Sequence, residues 1–206
     1  MTGDAAAGES TGMAAGMASD GLWVFAYGSL LWRPGFGFAE RRRAVLEGYC
    51  RRFCMSSIHY RGTPERPGLV LALDAAAGRA CEGAAYRVEA AEADGVIAYL
   101  RERELVSYAY DEIRLPVRLS GGGRALALTF VTNRDHPQYR GGLSLSEQAA
   151  VIAAAAGPMG PNADYLLQTH AALAALGIDD PELSALPALF LGDAPGLARG
   201  PETARA

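Results

Sequence analysis

Three consecutive glycines, Gly121-Gly122-Gly123, separate two runs of apolar and polar residues at 111–119 and 124–133. A glycine triplet has no side chain to bury and pays the highest entropic cost in regular structure. The chain therefore reverses there, and the flanking runs read as the arms of an antiparallel hairpin. Other short runs extend this sheet. Residues 22–27 (LWVFAY) are apolar and aromatic throughout, as in a strand buried on both faces, and Gly28-Ser29 closes the run. Residues 43–56 fit a strand through Tyr49, Phe53 and Met55, flanked by Arg51 and Arg52. Residues 68–74 (GLVLALD) and 81–88 (CEGAAYRV) read as a second pair turning near Gly78. Six short strands in this order predict a small, mainly antiparallel sheet that closes into a barrel.

Helical patterns interrupt and follow the strands. Residues 90–107 carry Val96, Ile97 and Leu100 at helical spacing. Ser144-x-x-Glu147 is a capping box opening a helix that ends at Gly157-Pro158. Asn162 is placed to cap a third helix through Tyr165, Leu166 and Leu173 to Gly177, and Asp180-Pro181 opens a short fourth. The expected class is α+β, a small mainly antiparallel β-barrel with packed helices. Residues 1–20 hold no Lys, Arg or aromatic side chain and read as a disordered leader; 21–192 form the domain, and 193–206 a disordered tail.

The formal net charge of −4, from 19 basic and 23 acidic residues, offers no basic footprint for nucleic acid. No apolar run approaches the ~20 residues of a membrane helix, and nothing resembles an export signal, so the expected setting is the cytoplasm, away from membranes. Cys50, Cys54 and Cys81 contain no C-x-x-C pair and read as reduced thiols.

One carboxylate stands out. With Ile97 at zero on a helical wheel advancing ~100° per residue, Leu100 sits at about −60°, Val96 at about −100° and Glu104 at about −20°. Glu104 thus lies inside the apolar arc, whereas Glu102, at about 140°, faces the opposite way. A carboxylate turned toward the body of a domain loses hydration and gains proton affinity, which prepares it as a general base. Pairing with an arginine such as Arg103, as a structural anchor, is the competing reading.

The turn Ala26-Tyr27-Gly28-Ser29-Leu30-Leu31 leaves a buried strand sharply. Gly28 there is free to take a positive φ, and successive N–H groups of such a turn suit an anion or oxyanion. In the turn-rich segment 59–68, Arg61 has the fork geometry to clamp a carboxylate, or is simply an exposed loop arginine. The Tyr165 hydroxyl either reaches a ligand or packs satisfied in the core. Other chemistries lack their residues. The glycines form no dinucleotide or phosphate loop, and Gly157-Pro158-Met159-Gly160-Pro161 lacks the Gly-Lys-Ser/Thr that a phosphate loop requires. His59, His136 and His170 are too scattered to suggest a metal site. Ser29 lacks the G-x-S-x-G context of a hydrolase nucleophile.

In combination these residues resemble a known family. Residues 23–34 (WVFAYGSLLWRP), Gly48-Tyr49-x-Arg51-Arg52-Phe53, Arg61-Gly62 with Pro67-Gly68, Arg103-Glu104, and Asn162-x-x-Tyr165-Leu166 are similar, in order and spacing, to the ChaC-like γ-glutamylcyclotransferases. The resemblance covers about residues 22–190. It implies a small β-barrel with surrounding helices, no cofactor, and glutathione as the substrate, converted to 5-oxoproline and cysteinylglycine. It also implies that residues 26–31 bind the γ-glutamyl group and that Glu104 transfers the proton. Arg61 and Tyr165 fall in matching segments as substrate-binding candidates. The chain departs from the family at Ala26, where glycine is common, and at Cys54-Met55, where a Trp-Gln pair is common, and these changes bear on the thiol side of the substrate. Cyclotransfer on other γ-glutamyl dipeptides or amines, and a non-catalytic γ-glutamyl binding module, are the alternatives.

Overall fold

The computed structural model describes residues 21–191; the leader expected at 1–20 and the tail expected at 193–206 lie outside them. The strands are β1 (Leu22–Ala26), β2 (Glu40–Ser57), β3 (Gly68–Val88), β4 (Tyr110–Leu119), β5 (Arg124–Thr132) and the two-residue β6 (Ala156–Gly157) and β7 (Gly160–Pro161). The helices are α1 (Ala93–Glu104), α2 (Leu145–Ala154), α3 (Asn162–Ala175) and α4 (Pro181–Leu191). The first five strands close into a barrel in the order β1-β3-β2-β4-β5. β1 pairs antiparallel with β3 and parallel with β5 and is buried at all five positions. A strand covered on both faces has no solvent side to alternate toward, hence the unbroken LWVFA.

The expected hairpin around the glycine triplet is present. β4 and β5 pair antiparallel from Tyr110↔Thr132 to Arg118↔Arg124, and the Leu119 N–H donates to the Gly123 carbonyl at 3.0 Å. The expected turn at Gly78 is not. Residues 68–74 and 81–88 do not pair with each other; they are two halves of the single strand β3, which runs antiparallel to β2 from Glu40↔Arg87 to Ser57↔Gly68. The register slips between Glu47 and Tyr49, and Gly48 (φ 82°) and Gly78 (φ 74°) both adopt the left-handed conformation at that slip. Gly78 therefore allows a long ribbon to bend, and the true reversal is the 58–67 segment that carries Arg61.

Phe25, Leu46, Phe53, Leu73, Tyr86 and Leu128 are almost wholly buried, and Val96 and Leu100 of α1 and Ile152, Leu166, Leu173 and Leu186 of the later helices join the same core. The capping box of α2 forms as expected, with the Ser144 hydroxyl accepting from the Glu147 N–H and the Glu147 carboxylate accepting from the Ser144 N–H. Asn162 does not cap α3. It is the helix's first residue, behind Pro161, and its fully buried amide meets the backbone of β3 instead, accepting from the Leu69 N–H and donating to the Leu69 carbonyl, both at 2.7 Å. The side chain thus acts as a missing strand residue. Asn162→Ala strands both Leu69 groups in a dry interior and is expected to cost roughly 2–4 kcal/mol, read by chemical denaturation. Among the described residues no helix is long and apolar enough to cross a membrane.

Candidate active site

A cavity of about 470 Å³ opens beside the C-terminal end of α1. Its lining includes Tyr27, Gly28, Ser29 and Leu30 after β1, Met55 to Arg61 at the end of β2, Arg103 and Glu104, Tyr110, and Tyr165 from α3. Segments more than 130 residues apart in sequence thus converge on one space. Of the candidates read from sequence, Tyr27, Gly28, Ser29, Leu30, Arg61, Glu104 and Tyr165 are brought together there. Ala26 and Leu31 are not. Ala26 is the fully buried last residue of β1, paired with Ala84, and Leu31 packs into the core.

The turn after β1 presents its N–H groups because its carbonyls are held elsewhere. The Tyr27 carbonyl accepts from Arg51 Nε at 2.6 Å, that of Gly28 from the Leu31 N–H at 2.9 Å, that of Ser29 from the Arg33 N–H at 2.8 Å, and that of Leu30 from the Tyr86 hydroxyl at 3.0 Å. Ser29 to Leu31 form one 3-10 turn, and among the described residues the N–H groups of Gly28, Ser29 and Leu30 meet no acceptor. Unpaired N–H groups at the start of such a turn attract negative charge. Gly28 does not use the expected positive φ; its φ is −130°. Its lack of a side chain matters for space, since a Cβ there would stand 3.0 Å from the Tyr165 hydroxyl.

Glu104 is the last residue of α1, one turn beyond fully buried Leu100 and on the same stripe as Val96. Its side chain is 19% exposed, whereas Glu102 is exposed at the cavity rim. The helix stops at Glu104, three residues short of the expected 107, and the chain leaves through Leu105. Burial raises the proton affinity of Glu104 above that of an ordinary glutamate, and the neighbouring Arg103 guanidinium, with Nε 3.1 Å from Glu104 Oε1, pulls it back. Desolvation and the arginine pair, opposed as readings of the sequence, operate together on one carboxylate.

Arg61 is not an exposed loop arginine. It is 6% exposed and lines the cavity, donates from one terminal nitrogen to the Pro161 carbonyl at 3.0 Å, and lies over the Tyr165 ring at 5.9 Å. No carboxylate among the described residues lies within 4 Å of it; burial works against its charge and Asp164, the acid acting on it from farther off, supports it, so the guanidinium lines the cavity without a direct ion pair. The Tyr165 hydroxyl is both satisfied and exposed to the cavity, accepting from the Leu71 N–H at 3.3 Å. Tyr27 donates to the Phe130 carbonyl at 3.0 Å and Tyr110 to the Leu71 carbonyl at 3.2 Å. Burial raises the proton affinity of all three phenols, which stay neutral.

Two contributors escape a reading of sequence alone. Ser56 and Ser57 form one wall beside Met55, whose departure from the family pattern is the one sign of it in the sequence, and Tyr110 reaches the cavity from the first position of β4. Away from the site, burial pushes the thiol of Cys54 up to about 12 and that of Cys81 up to about 11, so neither is a reactive thiolate. Among the described residues no group of three His, Cys, Asp or Glu side chains is placed to hold a metal ion.

The model of the ChaC-like protein family matches residues 22–190. The chain belongs to this family. Its glutathione-specific γ-glutamylcyclotransferase from Escherichia coli (strain K12) is 34% identical over 165 residues, covering 80% of this chain and 71% of that protein. The human glutathione-specific γ-glutamylcyclotransferase 1 is 34% identical over 149 residues, 71% of this chain and 67% of that one. Among solved structures, a yeast γ-glutamyl cyclotransferase specific to glutathione superposes with a TM-score of 0.76 at 26% identity, over 84% of this chain and 96% of that chain. The barrel that holds the cavity is thus the family's fold.

Proposed function

We propose that the protein is a glutathione-specific γ-glutamylcyclotransferase, with Glu104 as its proton shuttle. The carrying observation is the placement of a desolvated carboxylate and a turn of unpaired N–H groups on the same cavity. The names of the E. coli, human and yeast relatives support the substrate. In this reaction the substrate's own α-amine attacks its γ-carbonyl carbon. A ring C–N bond forms, the amide C–N bond to cysteine breaks, and 5-oxoproline and cysteinylglycine leave. No enzyme nucleophile is needed, consistent with a site lacking a Ser-His-Asp arrangement.

The α-amine arrives as an ammonium. Glu104, as carboxylate, takes its proton and returns one to the departing amine. The tetrahedral intermediate carries an oxyanion for which the Gly28, Ser29 and Leu30 N–H groups are the available donors, one such donor contributing about 3 kcal/mol in well-formed sites. Arg61, a buried cation with no carboxylate within 4 Å, is assigned to a substrate carboxylate, and its guanidinium lies over the Tyr165 ring. The walls fold the flexible γ-glutamyl chain for five-membered closure, supplying orientation. A cytoplasmic setting fits this role, since the substrate thiol and the unpaired Cys50, Cys54 and Cys81 suit a reducing compartment.

One observation favours a second reading. Met55 lines the cavity at a departure from the family pattern, which suits cyclotransfer on other γ-glutamyl dipeptides or amines. Incubating the protein with reduced glutathione, without metal or nucleotide, and following 5-oxoproline and cysteinylglycine by mass spectrometry tests both. Stoichiometric release of the two products is expected. Turnover of γ-glutamyl-alanine but not glutathione transfers the assignment to the second reading, and turnover of neither leaves a binding module.

A further inference from the structure

One side chain joins the turn after β1 to the carboxylate at the end of α1. From one terminal nitrogen Arg103 donates to the Arg33 carbonyl at 2.7 Å, the Pro34 carbonyl at 3.3 Å and the Tyr99 hydroxyl at 2.8 Å. From the other it donates to Ser29 Oγ at 2.9 Å, and its Nε faces Glu104 Oε1 at 3.1 Å. A guanidinium has five N–H donors in a fixed fork; this one spends both of one terminal nitrogen and one of the other on protein acceptors, with Nε turned to Glu104, which leaves a single N–H free. Too few donors remain for it to serve as a substrate clamp. Arg101, two residues earlier, is the contrast: among the described residues it meets only Glu112, at 2.6 and 2.8 Å, on the exposed side of the helix.

We infer that Arg103 is a positioning residue, which fixes the substrate-binding turn through Ser29 and the proton-transfer carboxylate through Glu104 in a single register. This rests on the reading of Glu104 as the base. If the turn moves relative to Glu104, the γ-carbonyl held by the one drifts from the proton carrier on the other, so both must be set by one rigid fork. The ionisable groups around Glu104 leave this role to Arg103. Tyr27 at the end of β1, Tyr110 of β4 and Tyr165 of α3 stay neutral, while Arg33, His59, Tyr60, Arg61, Tyr99 and Glu102 line the rest of the cavity. Among the described residues, Arg103 is the cation in contact with the carboxylate.

The test uses the full chain with Arg103→Met and Arg103→Lys. The Glu104 carboxyl is titrated by carbon-13 NMR in protein labelled at glutamate, and its resonance is assigned from its absence in Glu104→Gln. Steady-state kinetics with glutathione are measured across pH. In Arg103→Met the Glu104 titration and the acid limb of kcat/KM should both move up by about one pH unit or more, because the opposing charge is gone. Arg103→Lys keeps a charge but cannot fork, so its acid limb should stay within a few tenths of a unit of wild type while KM rises roughly tenfold as the turn loosens. A purely structural arginine would lower melting temperature without separating the two variants in this way. Coincident Glu104 titrations in wild type and Arg103→Met, or a wild-type KM in Arg103→Lys, overturns the inference. If wild type turns over no γ-glutamyl compound, the proposed function fails, and the titration, which needs no substrate, still decides whether Arg103 governs Glu104.

Discussion

Glu104→Gln is expected to lower kcat for 5-oxoproline release at least ~10²-fold while leaving the fold in place, because glutamine keeps the shape but cannot carry the proton. The fold survives since Arg103 retains acceptors on Ser29, Arg33, Pro34 and Tyr99, and no core contact depends on the carboxylate. Circular dichroism and a melting curve check the first half of the statement and product mass spectrometry the second. Glu102→Gln, two residues away at the exposed rim, should change kcat less than about twofold. Equal losses in both variants would show that the helical face of Glu104 has nothing to do with turnover. The pH profile follows from the same burial. The base works as its carboxylate, and burial raises its proton affinity, so activity should fall on acidification at a pH above the ~4.3 of an exposed glutamate.

That Glu104 faces inward was legible because helical periodicity is a local property. Leu100 and Glu104 are four residues apart and share a stripe whatever the rest of the chain does. The hairpin at Gly121-Gly122-Gly123 and the capping box at Ser144 were legible for the same reason. Gly78 was misread because a left-handed glycine between two apolar runs marks a bend as readily as a reversal, and only the partner distinguishes them. Here the partner is β2, with its own left-handed Gly48 across the slip. Asn162 was misread because a helix-start asparagine usually serves its own helix, and nothing local reveals that a strand 93 residues earlier lacks two hydrogen-bond partners. In the cavity wall from Met55 to Ser57, Met55 is marked only by its departure from the family pattern, and Ser56 and Ser57 are silent, since strand residues facing a pocket carry the same signal as those facing a core. Arg103 enters the sequence reading only as one possible mate of Glu104, and its grip on Ser29 requires the tertiary fold.

Arg51, which in sequence only flanks the apolar positions of its strand, is the residue whose replacement should produce the largest loss of stability. It shares a face of β2 with Tyr49 and Phe53, and its side chain is 3% exposed. Its guanidinium donates to the Tyr27 and Glu82 carbonyls and pairs with Asp180 at 2.7 Å, and Asp180 in turn accepts from the Leu183 N–H at 3.1 Å as α4 begins. Arg51→Met fills similar space but leaves Asp180 without its cation and two carbonyls without donors, a loss of about 3–5 kcal/mol for breaking a buried pair. The melting temperature should fall by roughly 10 °C for a domain of this size. Arg52→Met is the control. Arg52 is 34% exposed, donates to the Gly141 carbonyl at 3.2 Å and stands 3.6 Å from buried Asp74, which Arg134 at 2.6 Å and the Tyr139 hydroxyl at 3.1 Å also hold, so its loss should be well below that of Arg51, about 1–2 kcal/mol. A melting temperature for Arg51→Met within about 2 °C of wild type would mean that the buried pair contributes nothing net. The effect should also reach the site. With the Tyr27 carbonyl released, the turn loses an anchor that holds it against the cavity, so the folded fraction of Arg51→Met should show a raised KM even at temperatures where it is fully native.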